Sequence, residues 1–166
     1  MRRIHRFLAS GLVTVSLTIA GTVASVSPAQ AAGCFGFSCH GHDPNVEGCS
    51  VASTTQSSSS LAIVQNRFSS NCKSNWARGA LTQTGLNNGD GIQVIIETQD
   101  SQGHFEFMCF PGPNNTGALI ENCSGALYRS TTFAFTDMVD GTNITEAFVD
   151  VFDRNGNFIQ ELEADQ

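Results

Sequence analysis

The alternation of apolar and polar positions divides the chain into three stretches. Residues 7–26 are nearly all apolar or small, residues 32–60 show no periodicity, and from Leu61 onward short alternating runs succeed one another between Gly, Asn and Asp. Alternation with a period of two over a few residues marks a half-buried strand. It predicts strands over 61–68, 75–82, 92–98, 104–109, 118–121, 131–136, 146–152 and 157–162. Residues 99–103 predict a hairpin between the third and fourth of these, with Phe105, Phe107 and Cys109 on one face as its apolar side and His104 and Glu106 on the other, solvent-facing side. Asp153-Arg154-Asn155-Gly156 joins the last two, and Asn-Gly between alternating runs is a strong hairpin signal. In the run 146–152, Ala147, Val149 and Val151 share one face, while Asp150 interrupts Phe148 and Phe152 on the other. Apolar spacing of three and four is nowhere sustained, which limits helix to short turns.

Many short strands predict an all-β fold, a small disulfide-stapled barrel or sandwich of about seven to nine strands. Closure is the favoured form, because it removes open edges and few strands have apolar residues for burial on both faces. The tract from Ser53 to Ser60 is polar and low in complexity and reads as an exposed connection. The organisation expected is therefore a leader over 1–31, a Cys/Gly-rich loop with its polar connection over 32–60, and a β domain over 61–166, with 32–166 folding as one unit.

The leader explains the first apolar stretch. Arg2, Arg3 and Arg6 precede the apolar run, and Ala29-Gln30-Ala31 ends it, the order of a cleavable secretory signal. The chain has fifteen acidic and eight basic residues, for a formal charge of −7. Cleavage removes three arginines and no acid, which takes the charge to −10. That excludes nucleic acid as a natural partner, since phosphate binding needs a broad basic face. After cleavage no stretch is long and apolar enough to span a membrane, and a monomer is expected.

All six cysteines, Cys34, Cys39, Cys49, Cys72, Cys109 and Cys123, lie after the leader. An even number in an exported chain predicts three disulfides. Cys109 and Cys123 bracket the turn-rich run from Pro111 to Gly117 and are the best-supported pair; a bridge there is worth about 3 kcal/mol. The pairing among the other four stays open.

Candidate chemistry is sparse. Cys39, His40, His42 and Asp43 form the densest set of metal-ligand types, set against a bridged Cys39 and histidines on an exposed turn, and the structural reading is preferred: no metal and no cofactor. His104 beside Glu106 has the composition of half an acid/base pair, and Asp137, Asp140, Asp150 and Asp153 crowd one region, but no Gly-x-Ser-x-Gly elbow is present. Trp76, the single tryptophan, reads as core, with Arg67 or Arg78 packed along it or paired with a carboxylate. Asp153 to Asn157 reads as a turn rather than a calcium loop.

Cys34 to Pro44, containing Gly41, Asp43 and Pro44, is followed by Gly48-Cys49, then Arg67-Phe68-Ser69, Cys72 and Trp76-Ala77-Arg78. This succession resembles the YjfA-like family of bacterial secreted proteins, a domain of unknown function (2690). The resemblance is specific over 34–78 and dilute afterwards, with a weak likeness at 133–139; Cys109, Cys123 and the polar tract before Leu61 depart from it. It implies secretion and a β-rich disulfide domain, and it transfers no catalytic residue. The expected function is a secreted, non-catalytic binding or envelope-associated module for an extracellular ligand; the alternative is a small secreted hydrolase using surface carboxylates or His104.

Overall fold

A computed structural model of the chain describes residues 32–99, 102–103, 105–110 and 126–165. Its strands are β1 (Ser53–Ser58), β2 (Ala62–Ser69), β3 (Ser74–Leu81), β4 (Gly91–Gln99), β5 (Phe105–Phe110), β6 (Ala134–Phe135), β7 (Val139–Asp140), β8 (Ile144–Phe152) and β9 (Phe158–Asp165). They form two antiparallel sheets. Sheet 1 has the order β1-β2-β3-β6 with β7 also on β3, and sheet 2 has the order β5-β4-β8-β9. The architecture is thus the sandwich, not the favoured closed barrel.

The period-two pattern places the core between the sheets. Ile92, Val94 and Ile96 of β4 and Ala147, Val149 and Val151 of β8 point inward to meet Ala62, Val64, Ala77 and Leu81 from sheet 1. All are essentially inaccessible, and each buried Val, Ile or Leu contributes about 1.5–3 kcal/mol relative to exposure. The sheets approach closely at Gly79, where an added Cβ would lie 2.5 Å from Val149 Cγ2 and 2.9 Å from Val94 Cγ2. Closure into a barrel is unnecessary because β3 is covered on both sides, by sheet 2 within and by the N-terminal segment without.

The strands expected from alternation form at 62–69, 74–81, 91–99, 105–110, 144–152 and 158–165. The Asn155-Gly156 turn closes as expected, with Gly156 at φ 85° and Asp153 Oδ1 accepting from the amides of Asn155 and Asn157. Three expectations are corrected. The polar tract supplies β1, whose backbone pairs with β2 from Ser53↔Phe68 to Ser58↔Ile63. The strand expected over 131–136 shrinks to Ala134–Phe135. In β5, Met108 opposes Ile96 and Glu106 opposes Thr98, so Glu106 shares the core-facing side while Phe105, Phe107 and Cys109 face outward. Met108 and the half-buried Phe110 supply the apolar anchors that the phenylalanines at 105 and 107 were expected to be.

A short α-helix, α1 (Gln83–Asn88), bridges β3 and β4; Thr82 Oγ1 caps it by accepting from the Gly85 amide, and Gly89 at φ 80° ends it. The strand expected over 118–121 lies outside the described residues.

Candidate functional site

The family-like residues build a clasp on the outer side of β3. Cys34 is bridged to Cys39 and Cys49 to Cys72, and the four sulfurs lie within 4.8 Å of one another. With Met138 they enclose Trp76, which is 4% exposed, in a second hydrophobic cluster. Gly41 and Gly48 have φ values of 75° and 69°, a region costly for side-chain-bearing residues. The Gly41 amide donates to Met138 O and the Met138 amide to His42 O, both at 2.9 Å, lacing the clasp to the β6–β7 connection. Asp43 Oδ1 accepts from the Asn45 amide, Pro44 O from the Cys49 amide, and Gly48 O from Asn71. These motif positions therefore shape a covered wall. Cys109 is also disulfide-bonded, while Cys123, its expected partner, lies outside the described residues.

Two motif arginines stand beside the clasp on the outer face of sheet 1. The β2–β3 register places Arg78 opposite Gln65 and Arg67 opposite Trp76. Arg67 Nε and Arg78 Nη1 both donate to Gln65 Oε1, at 3.1 and 3.3 Å, and Gln65 Nε2 donates to Gln56 Oε1 at 2.7 Å. The Arg78 guanidinium lies 3.8 Å from the centroid of Phe133. Burial lowers both guanidinium pKa values, and the charge of Arg78 lowers that of Arg67 further. Of the two arrangements expected for these arginines, packing along Trp76 or pairing with a carboxylate, the second does not form: among the described residues neither arginine makes an ion pair.

The outer face of sheet 2 is acidic. Strand alternation projects Glu97 from β4, Glu146 and Asp150 from β8, and Glu161, Glu163 and Asp165 from β9 to one side. Glu97 opposes Glu146, Glu146 opposes Asp165, and Asp150 opposes Glu161. Desolvation, then the charges of Glu146 and Glu161, raises the pKa of Glu97. Asp150 is pushed up to about 6 by desolvation and by the charge and hydrogen bond of Glu161, and its Oδ1 is buried without a hydrogen-bond partner. A shallow depression at the end of this face is lined by Glu97, Gln99, Phe105, Ile144 and Glu146. Its rim residues Phe105 and Ile144 are 53% and 63% exposed. None of these five carries a functional signal of its own in the sequence; the signal available there is the filling of outward positions on β4, β8 and β9 with acids.

The other candidates disperse. Cys39 is bridged, His42 Nδ1 meets Glu47 Oε1 at 2.8 Å, His40 Nε2 lies 3.5 Å from Glu106 Oε2, and Asp43 caps its own turn, so the weak metal set does not assemble. Among the described residues, Glu146, Glu163 and Asp165 are the carboxylates whose oxygens gather within 4.8 Å. The aspartates also separate. Asp137 is raised chiefly by desolvation, then by Asp43; Asp140 accepts from Thr142 in its own turn; Asp153 binds Asn155 and Asn157. His104 lies outside the described residues, and Glu106 serves the clasp through His40.

No helix among the described residues is long and apolar enough to cross a membrane. No curated protein and no solved structure matches the chain. The weakly similar stretch at 133–139 falls beyond the region where a family match is found. Residues 37–115, which contain most of the clasp, β1 to β5 and both motif arginines, match the family described as Protein of unknown function (DUF2690).

Proposed function

We propose that the protein is a secreted, non-catalytic binding module that takes a cationic extracellular or cell-envelope ligand on the outer face of sheet 2. The observation that carries this reading is the juxtaposition of Glu97 and Glu146, opposed in register, with exposed Phe105 and Ile144 around one depression. Among the described residues, no lysine or arginine forms an ion pair with these carboxylates. A ligand amine or guanidinium would relieve their mutual repulsion, and the flanking apolar side chains would cover an aliphatic stem. The basic, apolar and Ala-x-Ala order of residues 1–31 supports export, and the closed bridges suit an oxidising compartment.

Titration with short Lys/Arg-rich peptides tests the reading by calorimetry. Saturable binding that weakens at least about tenfold in the E97Q/E146Q double variant, and weakens with salt, supports it. Binding indifferent to those substitutions rejects this face. The hydrolase alternative draws on the raised Glu97 carboxyl beside Glu146, an acid next to a potential base. It requires turnover of a glycan or peptide substrate that disappears in both E97Q and E146Q.

A further inference from the structure

We propose that Arg67 and Arg78 form a phosphate-type oxyanion site on the outer face of sheet 1, separate from the acidic face of sheet 2. Two guanidiniums converge on one neutral acceptor, Gln65 Oε1, and that oxygen is aimed at them because Gln56 holds the amide nitrogen of the same side chain. Each arginine offers five N–H donors, of which the described contacts occupy one apiece. Each guanidinium is already held at Gln65 before any ligand arrives. Arg78 is stacked on Phe133, and Arg67 stands across from the enclosed Trp76.

Charge supplies the second argument. The protein has fifteen acidic residues, yet none of the described ones neutralises this pair of like charges. Arginines serving only as structural props in such a chain would be expected to find carboxylates. Here an outside anion completes the arrangement, and a dianion suits two cations better than a single carboxylate does. Thr54 of β1 opposes Arg67 in register, is exposed, and places a further hydroxyl donor at the edge of the site. The matching chemistry is a phosphate group, either as free phosphate or as part of an extracellular phosphodiester polymer.

The test follows the arginine Nε–H signals of the oxidised chain by NMR during titration with inorganic phosphate. Sodium acetate and sodium chloride at matched ionic strength serve as controls. Saturable movement of the Arg67 and Arg78 signals with phosphate, at least tenfold weaker affinity in R67Q and R78Q, and a similar loss in R78K support the site. R78K keeps the charge and loses the fork, so it separates specific recognition from general attraction, and its melting curve checks folding. A glycerol-phosphate oligomer binding more tightly than inorganic phosphate identifies a polymer source; equal affinity per phosphate identifies free phosphate. Absence of a saturable response to inorganic phosphate, or a response unchanged in the arginine variants, overturns the proposal. E97Q/E146Q should leave phosphate binding intact, which keeps this outcome distinct from that of the acidic face.

Discussion

Asn75 donates its side-chain amide to Asn66 Oδ1 at 2.9 Å in the interior of the sandwich, where Asn66 is 0% exposed. Asn66 in turn donates to Thr145 O at 3.0 Å, so one amide chain ties β2 and β3 to β8 across the gap between the sheets. Asn66→Ala removes the relay, taking one hydrogen-bond partner from Asn75 and one from the carbonyl of Thr145. The expected loss is about 2–4 kcal/mol in denaturant unfolding, combining the lost buried hydrogen bonds with a small cavity. Unchanged stability would mean that water or relaxation replaces the relay.

Gly79 predicts a steric effect of comparable size. The two valine methyls facing it leave no room for a Cβ, although they are movable side-chain ends. Gly79→Ala should destabilise by about 1–3 kcal/mol, seen as a lower melting temperature. Val149→Ala in the same chain should restore part of that loss, whereas Val64→Ala should not.

The two bridges should differ in worth. Cys49–Cys72 closes 23 residues and Cys34–Cys39 only 5. In the chain-entropy account the longer loop contributes about 3 kcal/mol and the shorter about 2 kcal/mol. Melting of the paired serine variants checks the order. Peptide mapping of the oxidised protein should recover the 34–39 and 49–72 links, and reduction should shift Trp76 emission to the red as its sulfur-lined cover loosens.

Asp150 makes stability depend on pH. Its folded pKa of about 6 stands above the ordinary value of 3.8, so the native state holds a proton that the unfolded chain has released. The stabilisation is complete below the ordinary value and is lost as pH rises through about 6. Asp150→Asn should therefore raise stability at pH 8, by about 1 kcal/mol after allowance for solvent screening, and have little effect at pH 4.5. Paired melts of wild type and variant at both values decide it; a gain at pH 4.5 alone would reverse the sign.

Legibility followed the physics of each element. β4 and β8 combine branched aliphatic residues with strict alternation, and both appear where the pattern put them. β1 was invisible because Ser-Thr-Thr-Gln-Ser-Ser has no buried side, and its backbone partner β2 supplies the order. The aromatics of β5 concealed its phase, since Met108 and Phe110, not Phe105 and Phe107, meet the interior. α1 did leave a trace, Thr82 before it and Gly89 after it, but its few residues carry no periodicity. Arg67 and Arg78 were visible as motif letters, whereas their meeting at Gln65 depends on the β2–β3 register. Cysteine pairing was equally inaccessible, because chain folding, not spacing, brings Cys49 to Cys72.

The all-polar makeup of β1, at the margin of sheet 1, bears on how copies of the molecule behave in a crowd. A margin of this kind can template another strand, but the hydroxyls and amide along it provide no greasy surface to be sealed away from water. Margin-to-margin association would rest on hydrogen bonds that water also makes, each with a net worth of only about 1 kcal/mol. Neighbouring molecules can thus brush past along this border without being drawn into fibres.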